Sequence, residues 1–140
     1  CSDAGRYERS LSVAELLPDL AQLPAGDHTE IGGRGINLSG GQRARVGIAR
    51  AFCAEHHVAV LDDVLSAVDV AVARRLIQSI TTGEWAGTTR VISLNSHYDL
   101  LDHADLIVAL NAGRTETYRS RAEFEAKSPV AARLTVAPEA

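Results

Sequence analysis

Lysine occurs once in this sequence, at Lys127, and no glycine stands near it. That excludes the pattern G-x-x-x-x-G-K-[ST], in which a glycine loop wraps a nucleotide's phosphates and a lysine reaches them. Aromatic residues make up only 4% of the chain, too few for an ordered array of rings on which bases could stack. The formal net charge is −4 and no basic stripe dominates, which argues against broad nucleic-acid binding. The two cysteines, Cys1 and Cys53, are too few for a disulfide framework and suit a reducing compartment. Cys53 reads as a buried structural thiol on the apolar face of a helix. No apolar run approaches the roughly 18 to 20 residues that cross a bilayer, and no signal-peptide pattern is present. The first residue is Cys rather than Met, which reads as a piece of a longer polypeptide. What remains is 140 residues, 46% of them hydrophobic, enough for one compact domain with its own core.

The informative stretch runs from Ile36 to Asp69. Leu38-Ser39-Gly40-Gly41-Gln42 precedes a helix whose apolar residues Val46, Ala49, Phe52 and Cys53 recur at three- and four-residue spacing. Ser39 is a good N-cap. The two glycines let backbone N–H groups approach an anion, and the helix dipole adds partial positive charge there. Next, Val58-Ala59-Val60-Leu61 reads as a parallel strand covered on both faces, ending in Asp62-Asp63. Open α/β sheets bind ligands at the carboxyl ends of their strands. There Asp62 would hold Mg²⁺ directly or through water, and Asp63 would orient or deprotonate an attacking water. Taken singly, the first piece could be an ordinary cap and the second a strand stopping at solvent. In series they read as phosphate chemistry.

Together with Leu65-Ser66-Ala67-Val68-Asp69, these pieces resemble the nucleotide-binding domain of ATP-binding-cassette (ABC) transporters, matching its signature motif, Walker B strand and D-loop in order and spacing. The wording of Gly35 to Gln42 and of Asp62 to Asp69 is similar to the first nucleotide-binding domain of the multidrug-resistance-associated subfamily. Asn95-Ser96-His97-Tyr98-Asp99-Leu100-Leu101 resembles the protozoan P-glycoprotein-A-like pumps for metal–thiol conjugates. Departures from the family are Gly33 where an acid is common, Ser96 before the H-loop histidine, and Asp63 where a catalytic glutamate is usual.

Elsewhere, residues 1–9 are polar and uninformative. Leu11, Leu16, Leu17 and Leu20 form a loose helical stripe, with Pro18 a break or the first turn of a second short helix. Asp69 caps a helix from Val70 to about Ile80, with Val72, Ala73, Leu76, Ile77 and Ile80 on one side and Arg74 and Arg75 on a solvated face. Trp85 reads as a packing residue. Val91-Ile92-Ser93-Leu94 is expected as a second buried strand, followed by a short helix from Tyr98 to His103. A third strand from Asp105 to Leu110 turns at Asn111-Ala112-Gly113-Arg114 into Thr115 to Tyr118. A terminal helix from Arg121 to Leu134 restarts at Pro129, and residues 137–140 should fray. His28, His56, His57 and His103 lack a constellation at metal-ligand spacing.

The resemblance implies an α/β fold, part of a P-loop ATPase domain with a mostly parallel sheet flanked by helices. Residues from about 1 to 44 would close the helical subdomain and carry the signature, and about 45 to 140 the Walker B, D-loop, H-loop and C-terminal part. The Walker A loop and Q-loop would lie upstream of residue 1. It implies ATP and Mg²⁺ as cofactors, with Asp62 at the metal and Asp63 and His97 catalytic. Ser39, Gly40, Gly41, Gln42 and Asp69 would contact nucleotide, the signature completing a site on a second nucleotide-binding domain. The implied function is ATP hydrolysis coupled to export of organic anions, drugs or thiol conjugates, at the cytoplasmic face of a membrane, in company with transmembrane domains and not nucleic acid. Two other readings stay open: a soluble ABC ATPase acting on nucleic acid or ribosomes, and an inactive fragment lacking the phosphate loop.

Overall fold

The computed structural model describes residues 1, 3–32, 37–83 and 85–134. The departure at Gly33, the start of the Gly35 to Gln42 stretch, and the tail at 137–140 lie outside the described residues. The chain divides into two compact units, Cys1–His97 and Tyr98–Ala140.

In the first unit, α1 (Ala4–Val13) starts inside the stretch that looked uninformative. Asp3 caps it, its carboxylate accepting from the Arg6 N–H at 2.8 Å. The helix buries only Ser10 and Val13, so its apolar stripe is nearly absent from the sequence. A short helix, α2 (Leu17–Leu20), follows with Pro18 in its first turn, where a missing N–H costs nothing. Then α3 (Gly40–Cys53) buries Gly41, Arg45, Ile48, Ala49 and Phe52, a face centred on Ile48 that leaves Val46 and Cys53 half-buried.

α1 lies along α3, and this overturns the expected free thiol. Cys1 and Cys53 are joined by a disulfide with their Cα atoms 5.3 Å apart. The same end is fastened by Arg6. Its guanidinium sits 4.8 Å over the Phe52 ring, donates to the Phe52 carbonyl at 2.6 Å and pairs with Glu55 at 3.0 Å. A cation at the C-terminal end of a helix meets its unsatisfied carbonyls. These contacts carry the start of the chain to the end of α3.

β1 (Val58–Leu61) pairs in parallel with β2 (Thr89–Ile92), Val60 standing opposite Val91. Ala59 and Leu61 enter the core. The other face differs from the expectation of two covered faces: Val58 is 55% exposed, Val60 71% and Val91 55%. Side chains alternate across a strand, and among the described residues only one side of this pair is packed. Between the strands, Asp69 caps α4 (Val70–Thr82), accepting from the Val72 N–H at 3.0 Å. Ala73, Leu76, Ile77 and Ile80 of α4 are buried, as its periodicity predicts. Arg75 is exposed yet paired, 2.8 Å from Glu15. Trp85 is buried, its ring tilted against Phe52 at 5.6 Å between centroids.

In the second unit, a 3₁₀ helix (Tyr98–His103) precedes β3 (Ile107–Asn111) and β4 (Arg114–Tyr118), an antiparallel hairpin. Its two turn residues, Ala112 and Gly113, have φ of 48° and 77°, the left-handed pair that matches strand twist in a two-residue turn. α5 (Arg121–Lys127) and α6 (Pro129–Leu134) are separate helices, because Ser128 before the proline is extended at φ −86° and ψ 127°. Ile107, Ala109, Tyr118, Phe124 and Ala131 form this unit's core.

Candidate functional site

β1 delivers the acidic pair at its carboxyl end. Asp62 is exposed and Asp63 half-buried. Asp63 has φ of 50°, a left-handed conformation unusual for a residue with a Cβ. Its carbonyl accepts from the Ser66 hydroxyl at 3.0 Å. The Ser93 hydroxyl, just beyond β2, accepts from the Asp63 N–H at 2.8 Å and donates to the Asp62 carboxylate at 2.6 Å.

His97 stands near the same loop. It too has a left-handed backbone, with φ of 56°, and its Nε2 lies 3.2 Å from the Leu65 carbonyl oxygen. That contact ties the expected H-loop histidine to the chain segment joining Asp63 to Asp69. Asp69 spends its side chain on capping α4.

The turn from Ser39 to Gln42, the expected signature, is built as a reciprocal cap. The Ser39 hydroxyl accepts from the Gln42 N–H at 3.1 Å, while the Gln42 side chain accepts from the Ser39 N–H at 2.9 Å. Gln42 also donates to Asp19 at 2.9 Å, and Arg45 meets the other oxygen of that carboxylate at 2.5 Å. The polar side chains of the turn are thus engaged within the protein. The N–H groups of Gly40 and Gly41 precede the first intrahelical bond.

Gly41 is required by its neighbour. A Cβ placed on it would lie 2.8 Å from the Ala67 carbonyl oxygen, and one on Gly40 would lie 3.2 Å from the Ala67 Cβ. The signature turn is therefore packed backbone to backbone against the loop between Asp63 and Asp69. Ser93 links Asp62 and Asp63 at the start of that loop, and His97 meets it at the Leu65 carbonyl. Gly40 and Gly41 meet it at Ala67. Ser93 and Ala67 escaped the sequence reading, since a serine ending a strand and an alanine in a loop carry no pattern.

A sequence profile described as ABC transporter matches residues 8–66. An ABC-type transporter of the fungus Zymoseptoria tritici is 44% identical over 122 residues, covering 87% of this chain and 9% of its own length. Human ATP-binding cassette sub-family C member 10 is 43% identical over 112 residues, covering 80% of this chain and 7% of its own. The chain thus spans less than a tenth of the length of either relative. Among solved structures, one titled as a bacterial Atm1-family ABC exporter with ATP bound superposes with a TM-score of 0.82 at 25% identity, covering 95% of this chain and 23% of that one. The mixed helix and strand order described above is accordingly part of an ABC ATPase domain. The chain belongs to the ABC transporter family, with relatives in its sub-family C.

Proposed function

We propose that this chain supplies the signature, Walker B, D-loop and H-loop part of a nucleotide-binding domain that hydrolyses ATP to drive export of organic anions, drugs or thiol conjugates. The supporting observation is that Ser93 links Asp62 to Asp63 at the carboxyl end of β1, while His97 meets the Leu65 carbonyl two residues further along the same loop. Residues to about 44 would form the end of the helical subdomain and the signature, the remainder the catalytic and C-terminal part.

The donor set suits Mg²⁺ rather than a caged metal. Among the described residues no group of three or more His, Cys, Asp or Glu could hold an ion. Mg²⁺ is ordinarily bound by one or two carboxylates together with substrate phosphates and water. Asp62 offers such a carboxylate beside a hydroxyl. When bound, Mg²⁺ would neutralise charge on the phosphates. Asp63 would orient or deprotonate the attacking water, and His97 would contact the terminal phosphate. The N–H groups at Gly40 and Gly41 would face the nucleotide of a second nucleotide-binding domain.

No described helix is long and apolar enough to cross a membrane. Attachment to the cytoplasmic face of a membrane would come through transmembrane domains of the transporter. Aspartate is shorter than glutamate by one C–C bond of roughly 1.5 Å, and a misplacement of about 1 Å can cost on the order of 100-fold in rate. The chain's own site would therefore turn over slowly while its signature serves the partner site.

The test uses inverted membrane vesicles carrying the full-length protein. ATP-dependent uptake of a fluorescent glutathione conjugate is expected, with faster turnover at this site in Asp63→Glu. Uptake indifferent to ATP would sink the transport reading, and unchanged turnover in Asp63→Glu would sink the slow-site reading.

A further inference from the structure

We propose that Ser93 is a positioning residue for the acidic pair, fixing through one hydroxyl both the carboxylate of Asp62 and the backbone of Asp63. The proposal rests on the reading of Asp62 as the cation-holding carboxylate. A serine hydroxyl has one proton to give and lone pairs to accept with. Here the proton goes to Asp62 Oδ1 at 2.6 Å, and a lone pair takes the Asp63 N–H at 2.8 Å.

The backbone puts Ser93 in place. The β1–β2 register pairs Leu61 with Ile92, and the Ser93 N–H donates to the Leu61 carbonyl at 3.0 Å, one step beyond the strands. The hydroxyl therefore arrives beside Asp62 because the parallel ladder ends there. Asp63 is gripped from both sides, its N–H by Ser93 and its carbonyl by Ser66, which sustains its left-handed φ of 50°. An apolar residue at 93 would remove both bonds and leave Asp62 Oδ1 and the Asp63 N–H to solvent, free to move.

Two consequences bear on the chemistry. With Oδ1 committed to Ser93, Asp62 has its second oxygen for a cation and is held against rotation. Mg²⁺ demands near-ideal octahedral geometry, so a wandering carboxylate is a poor ligand. Groups that orient a metal-binding carboxylate are typically worth about 10- to 100-fold in metal affinity. The same hydroxyl sets the turn from which the Asp63 side chain departs, coupling the two acids to one atom.

The experiment compares wild type, Ser93→Ala, Ser93→Thr and Asp62→Asn in the purified full-length protein. Mn²⁺ is the probe, followed by electron paramagnetic resonance with a non-hydrolysable ATP analogue present, alongside the cation dependence of ATP hydrolysis. Nucleotide affinity in EDTA serves as the control for folding. Ser93→Ala should weaken one class of bound Mn²⁺ by about 10-fold or more and raise the cation KM in step, with nucleotide affinity in EDTA unchanged. Ser93→Thr, which keeps the hydroxyl, should restore both. If Ser93→Ala keeps wild-type Mn²⁺ affinity while Asp62→Asn loses it, Ser93 has no positioning role and the proposed function still stands. Wild-type Mn²⁺ affinity in Asp62→Asn would overturn both readings. A defect in Ser93→Ala that Ser93→Thr does not repair, or one that also lowers nucleotide affinity in EDTA, would mark a loss of packing and overturn the proposal.

Discussion

At the scale of single residues, the contact between Gly41 and Ala67 is a demanding one. Gly41→Ala would drive a methyl group to 2.8 Å from the Ala67 carbonyl oxygen, a backbone atom that cannot swing aside. Overpacking of this kind costs on the order of 1 to 3 kcal/mol. Gly47, on the same helix, has nothing within 4 Å of its would-be Cβ. Gly47→Ala should instead stabilise by up to about 1 kcal/mol, the difference in helix propensity. Urea denaturation of the two variants should give shifts of opposite sign; a shared sign would refute the close approach. Glycines in the signature were legible as a motif, but their structural obligation was not, because Ala67 stands far along the chain. Ser93 was illegible for the same reason, its partners Asp62 and Asp63 lying 31 and 30 residues away.

Whole elements were legible where periodicity and a cap agree. α4 has both, and so does the hairpin turn with its glycine. α1 has a cap but almost no apolar face, and it went unseen. β1 reads as a strand suited to two covered faces, yet an apolar run says nothing about where the covering elements are encoded. The helices also share a capping device. In α5 the Ser120 hydroxyl accepts from the Glu123 N–H at 3.1 Å, and Glu123 accepts from the Arg119 N–H at 2.9 Å and from Lys127 at 2.8 Å. The Arg119 N–H, then Lys127, hold the Glu123 carboxyl below its ordinary range. A carboxyl with a lowered folded pKa contributes fully above its unfolded value of about 4.3 and loses that contribution as pH falls through the folded value. Glu123→Gln should therefore lower helix stability at neutral pH and flatten the acid loss, read by circular dichroism between pH 7 and pH 2. Parallel acid profiles for the two proteins would rule the device out.

For the molecule as a whole, the Cys1–Cys53 bond spans a sequence separation of 52 residues. Closing a loop of that size removes unfolded-chain entropy worth about 4 kcal/mol in the chain-entropy model. Reductant should lower the melting temperature of the wild-type chain and leave Cys53→Ser unmoved. Equal melting with and without reductant would mean that the bond adds no stability. A pair of cysteines was visible in the sequence, but α1, which brings them together, was not.

The bare valines of the parallel pair have a consequence for handling and for biosynthesis. Parallel strands are ordinarily shielded on both faces, and an uncovered apolar strand face with unpaired backbone invites strands from other molecules. Val58, Val60 and Val91 lie side by side and open to water, so this stretch expressed alone should be prone to association. Light scattering should rise with concentration and fall in Val60→Lys, and scattering independent of both would contradict it. A ribosome that has just released these strands has therefore made a surface whose safety depends on how quickly something else covers it.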